Sequence, residues 1–147
     1  MKIGPSVLAN LAATLVLALL MVLKAMMGLL PALNVISMLS KMMHGPMVAG
    51  WAAHLVIGTI VYGIGFAVLY RYLPGKTSVL KGISFALLAW LLMMVALMPM
   101  AGAGIFGINI GIMAAVMTLV LHILYGIIVG LVFDKLAGAP ETAAVHG

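Results

Sequence analysis

Two histidines stand in stretches that hold almost no other ionisable residue. His54 shares a stripe with Gly50, Gly58 and Tyr62 at four-residue spacing. His122 shares one with Gly111, Ala115, Thr118, Gly126 and Gly130. Small residues at helical spacing let backbones approach closely, so Gly50, Gly58, Gly111, Gly126 and Gly130 read as packing positions. Both imidazoles are then expected to point into a helix bundle. Two neutral imidazoles on neighbouring helices could ligate a haem b axially, with glycines clearing room for the macrocycle. Thr118, Tyr62 or a backbone carbonyl would hold the outer ring nitrogens. The plainer reading gives each histidine an interhelical hydrogen bond. His54 falls about seven residues into its stretch and His122 about fourteen. At 1.5 Å per residue that is an offset of roughly 10 Å, which counts against shared ligation.

A second pattern suits copper. Met42, Met43, His44 and Met47 sit in one run, and Met98 and Met100 in another, within a chain of 14 methionines. Thioether and imidazole are ligands that select Cu(I). The competing reading is that methionine, an adaptable apolar filler, simply packs. Other chemistry is scarce. There is no cysteine, and the only acids are Asp134 and Glu141 near the C-terminal end. Thiolate metal sites, cysteine nucleophiles, Ser-His-Asp arrangements and paired carboxylates are thereby excluded, so the chain does not read as an enzyme. Proton coupling by a carboxylate within the bilayer is disfavoured for the same reason. Lys24 reads as snorkelling to lipid phosphates. Trp90 could line a lipid or quinone pocket, or pack.

The elements that carry these residues are apolar. The apolar set makes up 67% of the chain and charged residues 6%, against about 45–50% and about 25% in soluble domains. Mean hydropathy is +1.38. Four stretches, about 5–30, 47–70, 79–98 and 108–133, each reach the roughly 20 residues that cross a bilayer as a helix. The first is too long for a signal peptide and lacks a cleavage site, so it reads as a retained span. Between the first two, residues 31–44 place Asn34, Ser37, Lys41 and His44 on one face, with apolar residues around the rest. That pattern predicts a short amphipathic helix in the interface, opening at Pro31. The fold class is therefore an all-α, four-helix integral membrane bundle, one domain over 1–137, followed by a flexible tail over 138–147.

The net charge of +5 is spread along the chain without a basic stripe, so no nucleic-acid partner is expected. Lys2, Arg71, Lys76, Lys81 and Lys135 fall on one side of the four spans, Lys24 and Lys41 on the other. The positive-inside rule then puts both termini in the cytoplasm and the protein in an inner membrane. A shift of 68 residues superposes Pro31 on Pro99, His54 on His122 and Gly58 on Gly126. Such an echo suggests two duplicated helical hairpins.

The runs Gly50–Gly58, Met98–Gly102 and His122–Gly126 together resemble an uncharacterised family of small bacterial four-helix membrane proteins. The resemblance implies the four-span topology and the two intramembrane histidines, and no activity. With no nucleophile and no soluble domain, the chain reads as an accessory or assembly subunit of a larger, respiratory membrane complex. It would contact lipid and other membrane subunits, or copies of itself. Its alternatives are a haem b or copper protein and a small-solute transporter. The transporter would need a polar lumen, and Asn10, Thr14, Ser84, Asn109 and Thr118 offer little of one.

Overall fold

The computed structural model describes residues 1–138; the tail expected over 138–147 lies, beyond Gly138, outside the described residues. Five helices form: α1 (Ile3–Met26), α2 (Val35–Met42), α3 (Met47–Leu69), α4 (Ser78–Met100) and α5 (Ile112–Ala137). All but α2 are long and apolar enough to cross a membrane. Their outward surfaces are Leu, Val, Ile and Met, as contact with lipid tails requires.

Several boundaries differ from expectation. Helix α2 opens at Asn34, whose side chain accepts from the Ser37 N–H at 2.9 Å, and not at Pro31. Asparagine satisfies a free N–H that proline at that position would leave open. The fourth span begins at Ile112, not at residue 108. Phe106 (φ 55°) and Gly111 (φ 120°) break the helical path, and Ile105–Gly107 forms only a short 3-10 turn. The apolar Ile108 and Ile110 had disguised a loop. At its other end α5 runs on to Ala137 and takes in Asp134.

Helix C-termini leave four carbonyls without intrahelical partners, a serious cost in lipid. Three of the ends close by the same device, a left-handed residue whose neighbour's N–H reaches back to the last turn. Gly28 does this for α1, with Leu29 N–H to Lys24 carbonyl at 3.1 Å. His44 (φ 51°) does it for α2, with Gly45 N–H to Ser40 carbonyl at 3.0 Å. Gly102 does it for α4, with Ala103 N–H to Met98 carbonyl at 2.9 Å. This is the Schellman motif. Lysines supply the rest. Lys24 Nζ donates to the carbonyls of Leu29, Leu30 and Leu33 at 3.1, 3.1 and 2.6 Å, so its expected reach to lipid phosphates is redirected inward. Lys81 donates to the carbonyls of Tyr70 and Leu73 beyond α3, and Lys2 to that of Ala137 at the end of α5.

The bundle is knit by close backbone crossings. A Cβ at Gly58 would lie 2.8 Å from Thr14 Cγ2 on α1, and one at Gly126 would lie 2.7 Å from Gly82 and Ile83 on α4. Thr14 and Gly82 are themselves 68 residues apart, as are Gly58 and Gly126. The two hairpins therefore cross at equivalent points, and the sequence echo is matched by an equivalent contact. Gly130 backs onto Val79, and Gly63 onto Val7. Gly50 packs on the Ile36 carbonyl of α2 and not on another span. Gly111 is corrected outright: nothing lies near it, and its positive φ serves the turn into α5. Helices α3 and α4 meet differently, through rings: Phe66 and Tyr62 contact Phe85 at 5.5 and 5.7 Å between centroids.

Replacing Gly82 by Leu forces α4 and α5 apart and is expected to destabilise the bundle by roughly 1–3 kcal/mol. Gly4→Leu, where a side chain meets open space, is expected to change nothing. Thermal loss of helical circular dichroism in detergent compares the two; equal melting temperatures would show that the crossing is not tight.

Candidate functional site

Above the Phe85 contact the gap between α3 and α4 stays open. A cavity of about 420 Å³ lies there. It is bordered by Thr14 and Lys24 of α1, Leu39 of α2, His54, Gly58 and Tyr62 of α3, Met93 and Ala96 of α4, and His122 and Tyr125 of α5. Its mouth faces lipid, where Val61 and Leu92 are 54% and 65% exposed. Both helices that wall this mouth widen beside it into π-helical turns, Ile57–Val61 in α3 and Met93–Leu97 in α4. The described residues contain no others. π-turns strain the hydrogen-bond ladder and gather at functional sites.

The two histidines share this cavity. Measured from the starts of their helices at Met47 and Ile112, they sit seven and ten residues in. The offset shrinks from the expected 10 Å to roughly 4–5 Å because α5 starts later than the apolar pattern implied. His122 Nδ1 lies 2.8 Å from the Thr118 carbonyl, which only accepts, so Nδ1 carries the proton. Nε2 then presents its lone pair. Thr118 itself is held by Trp90, whose Nε1–H donates to its hydroxyl oxygen at 3.1 Å. The expected outer partner of His122 is thus the Thr118 backbone, while the side chain is engaged by Trp90. His54 Nε2 is buried without a hydrogen-bond partner, and its ring stands edge-on to Trp51 at 6.1 Å. Thr14 Oγ1 is buried and unpartnered as well. Neither histidine hydrogen-bonds to the other helix in the way the plainer reading expects.

Beneath the cavity runs a polar ladder that joins Asn10 and Thr14 to Ser6. Ser6, Asn10 and Thr14 follow one another at four-residue spacing on α1 and are fully or almost fully buried. Ser6 Oγ donates to the Gly63 carbonyl at 2.6 Å, and Asn10 Nδ2 to the Ser6 carbonyl at 2.8 Å. The Tyr125 hydroxyl lies 2.6 Å from Asn10 Oδ1 and 2.7 Å from the Gly58 carbonyl. Three spans meet at that one oxygen. The four-residue spacing was the available signal.

The methionine–histidine group assembles only in part. Met98 is fully buried in a core with Met93, Met94 and Ala114. Met42, His44 and Met100 border a second, wide depression of about 740 Å³, with Lys41, Asn34 and Asn109, and Met100 also borders the histidine cavity. Met43 and Met47 lie outside its lining and are exposed. His44 has a structural task as the left-handed residue that closes α2.

A family model described as a family of unknown function, DUF6789, matches residues 1–144. The chain belongs to the DUF6789 family. No curated protein and no solved structure matches it. The chain is a multi-pass, all-helical membrane protein of that family.

Tyr125→Phe removes the one hydroxyl proton that the Asn10 oxygen and the Gly58 carbonyl share. The expected cost is roughly 1–3 kcal/mol. Titration with sodium dodecyl sulfate from lipid nanodiscs measures it, with exposed Tyr72→Phe as the neutral comparison. An unchanged midpoint would show that the ladder does not support the fold.

Proposed function

We propose that this protein binds a small, largely apolar molecule inside the bilayer, in the cavity between α3 and α4. One observation carries the reading: both walls of the mouth adopt π-turns beside a cavity that His54 and His122 both border. Cavities of about 300–1,000 Å³ with apolar linings and a few polar groups are the usual form of small-molecule sites. The role is binding rather than catalysis, since the carboxylate of Asp134 stands at the far end of α5. The charge pattern supports an inner-membrane location with cytoplasmic termini, so the cavity sits in the leaflet away from the cytoplasm. A bundle of this kind would pass its ligand, or electrons, to membrane partners. The accessory role in a larger respiratory assembly belongs to the same proposal.

Trp51 touches the ring of His54 and reports on occupancy. In nanodiscs, bromonaphthalene is expected to quench its fluorescence saturably. Ala96→Phe fills the cavity without touching the polar ladder and is expected to weaken quenching by about tenfold, some 1.4 kcal/mol. Equal quenching in both proteins would mean partition into lipid alone and would sink the reading.

A further inference from the structure

The chemistry of the cavity is more selective than its apolar lining suggests. His122 offers an Nε2 lone pair, because its Nδ1 proton is committed to the Thr118 carbonyl at 2.8 Å. Fixing one ring nitrogen on a backbone carbonyl so that the other faces outward is the usual way a protein prepares a metal-ligating imidazole. His54 borders the same space, with Nε2 buried and unpaired. A lone pair of this kind takes a hydrogen-bond donor or a Lewis acid, and not another acceptor.

Two observations favour a larger ligand over a bare ion. Among the described residues no group of three His, Cys, Asp or Glu converges to hold a metal. Two imidazoles leave most hard divalent ions short of ligands, and only a soft ion would find further donors in Met21, Met93 and Met100, which border the same space. The space is also far too large: a water molecule's share of volume is about 30 Å³, against about 420 Å³ here. A metal that brings its own equatorial ligands and its own apolar bulk meets both conditions. It needs two axial nitrogens from the protein and a greasy slot for a flat ring.

The third feature is charge. Lys24 borders the cavity at the α2 end and is held there by the carbonyls of Leu29, Leu30 and Leu33. It is the one cation on the lining, and no acid accompanies it among the described residues. A cation at the rim of an apolar slot fits a ligand with a carboxylate edge.

We propose that the cavity ligand is an iron porphyrin with carboxylate side chains, a haem b, with His54 and His122 as axial ligands and Lys24 facing the propionates. The inference rests on the cavity reading above and names its ligand. His54 Nε2 must turn from its buried position toward the cavity for this, a rotation about side-chain bonds. The π-turn three residues further on leaves that stretch of helix free to adjust.

The test is titration of haemin into the purified full-length chain in nanodiscs. Saturation at one equivalent is expected, with a low-spin six-coordinate spectrum and sharp α and β bands after dithionite reduction. His54→Ala and His122→Ala should each abolish the low-spin form. Added imidazole should restore it in His54→Ala, which separates a missing ligand from a collapsed fold. His122→Gln, which keeps an N–H for the Thr118 carbonyl, should fold and still fail to ligate. Lys24→Gln should keep the low-spin spectrum while weakening haemin binding by about tenfold. A spectrum of lipid-dissolved haemin, alongside intact bromonaphthalene quenching, would overturn the haem assignment and leave the cavity reading standing. Loss of both signals would overturn both. A low-spin spectrum that survives either histidine variant would assign the iron to other ligands and overturn this site.

Discussion

In lipid no water is at hand to satisfy a backbone carbonyl, and this protein is arranged around that scarcity. Every span has to end, and each end exposes carbonyls. Three helices close on themselves through a left-handed residue, and three lysines are spent on carbonyls, Lys24 beyond α1 itself and Lys2 and Lys81 at two other ends. Basic residues in a membrane protein are usually read as orientation marks. Here Lys2, Lys24 and Lys81 are also structural, because each donates to a carbonyl at or just beyond a helix C-terminus. The two roles do not compete. A cation at a helix C-terminus meets the negative end of the helix dipole as well as the free oxygens.

The same scarcity explains the interior. Ser6, Asn10 and Thr14 cannot sit in a bundle core without partners, and two of them find carbonyls or the Tyr125 hydroxyl. Glycines then let those partners come within reach, since Gly58 and Gly63 bring α1 against α3 at the level of the ladder. Thr14 is the end of the ladder and the beginning of the cavity. The transition from satisfied to unsatisfied polar atoms along α1 marks where packing stops and a site begins.

The spans and the amphipathic helix were legible because each is a continuous apolar or periodic run. What was lost lay at the edges. Residues 108–111 look like membrane to a hydropathy count, yet the positive φ of Phe106 and Gly111 makes them a loop. That error moved His122 too deep and made the two histidines seem poor partners. His44 looked like a ligand because a histidine among methionines invites it; the backbone uses it as a helix stop. Gly82 was overlooked because it stands alone on its span, and only its partner Gly126 carried a visible stripe. The ladder was missed for a different reason. Ser6, Asn10 and Thr14 are unremarkable singly, and only burial shows that they act together.

The widened turn in α3 has a consequence for how this span could change over time. A π-turn holds one residue more than an α-turn, so it behaves as a single-residue insertion that the helix has absorbed without breaking. Everything below it, from Tyr62 to Leu69, is rotated relative to everything above it, from Met47 to Val56. Deleting one residue between Ile57 and Val61 would restore a regular helix and leave its apolar length nearly unchanged. It would also rotate His54 relative to Tyr62 and the rest of the span below the turn. A shortened relative could thus remain a sound membrane helix bundle while its histidine stood at a different angle to Tyr62.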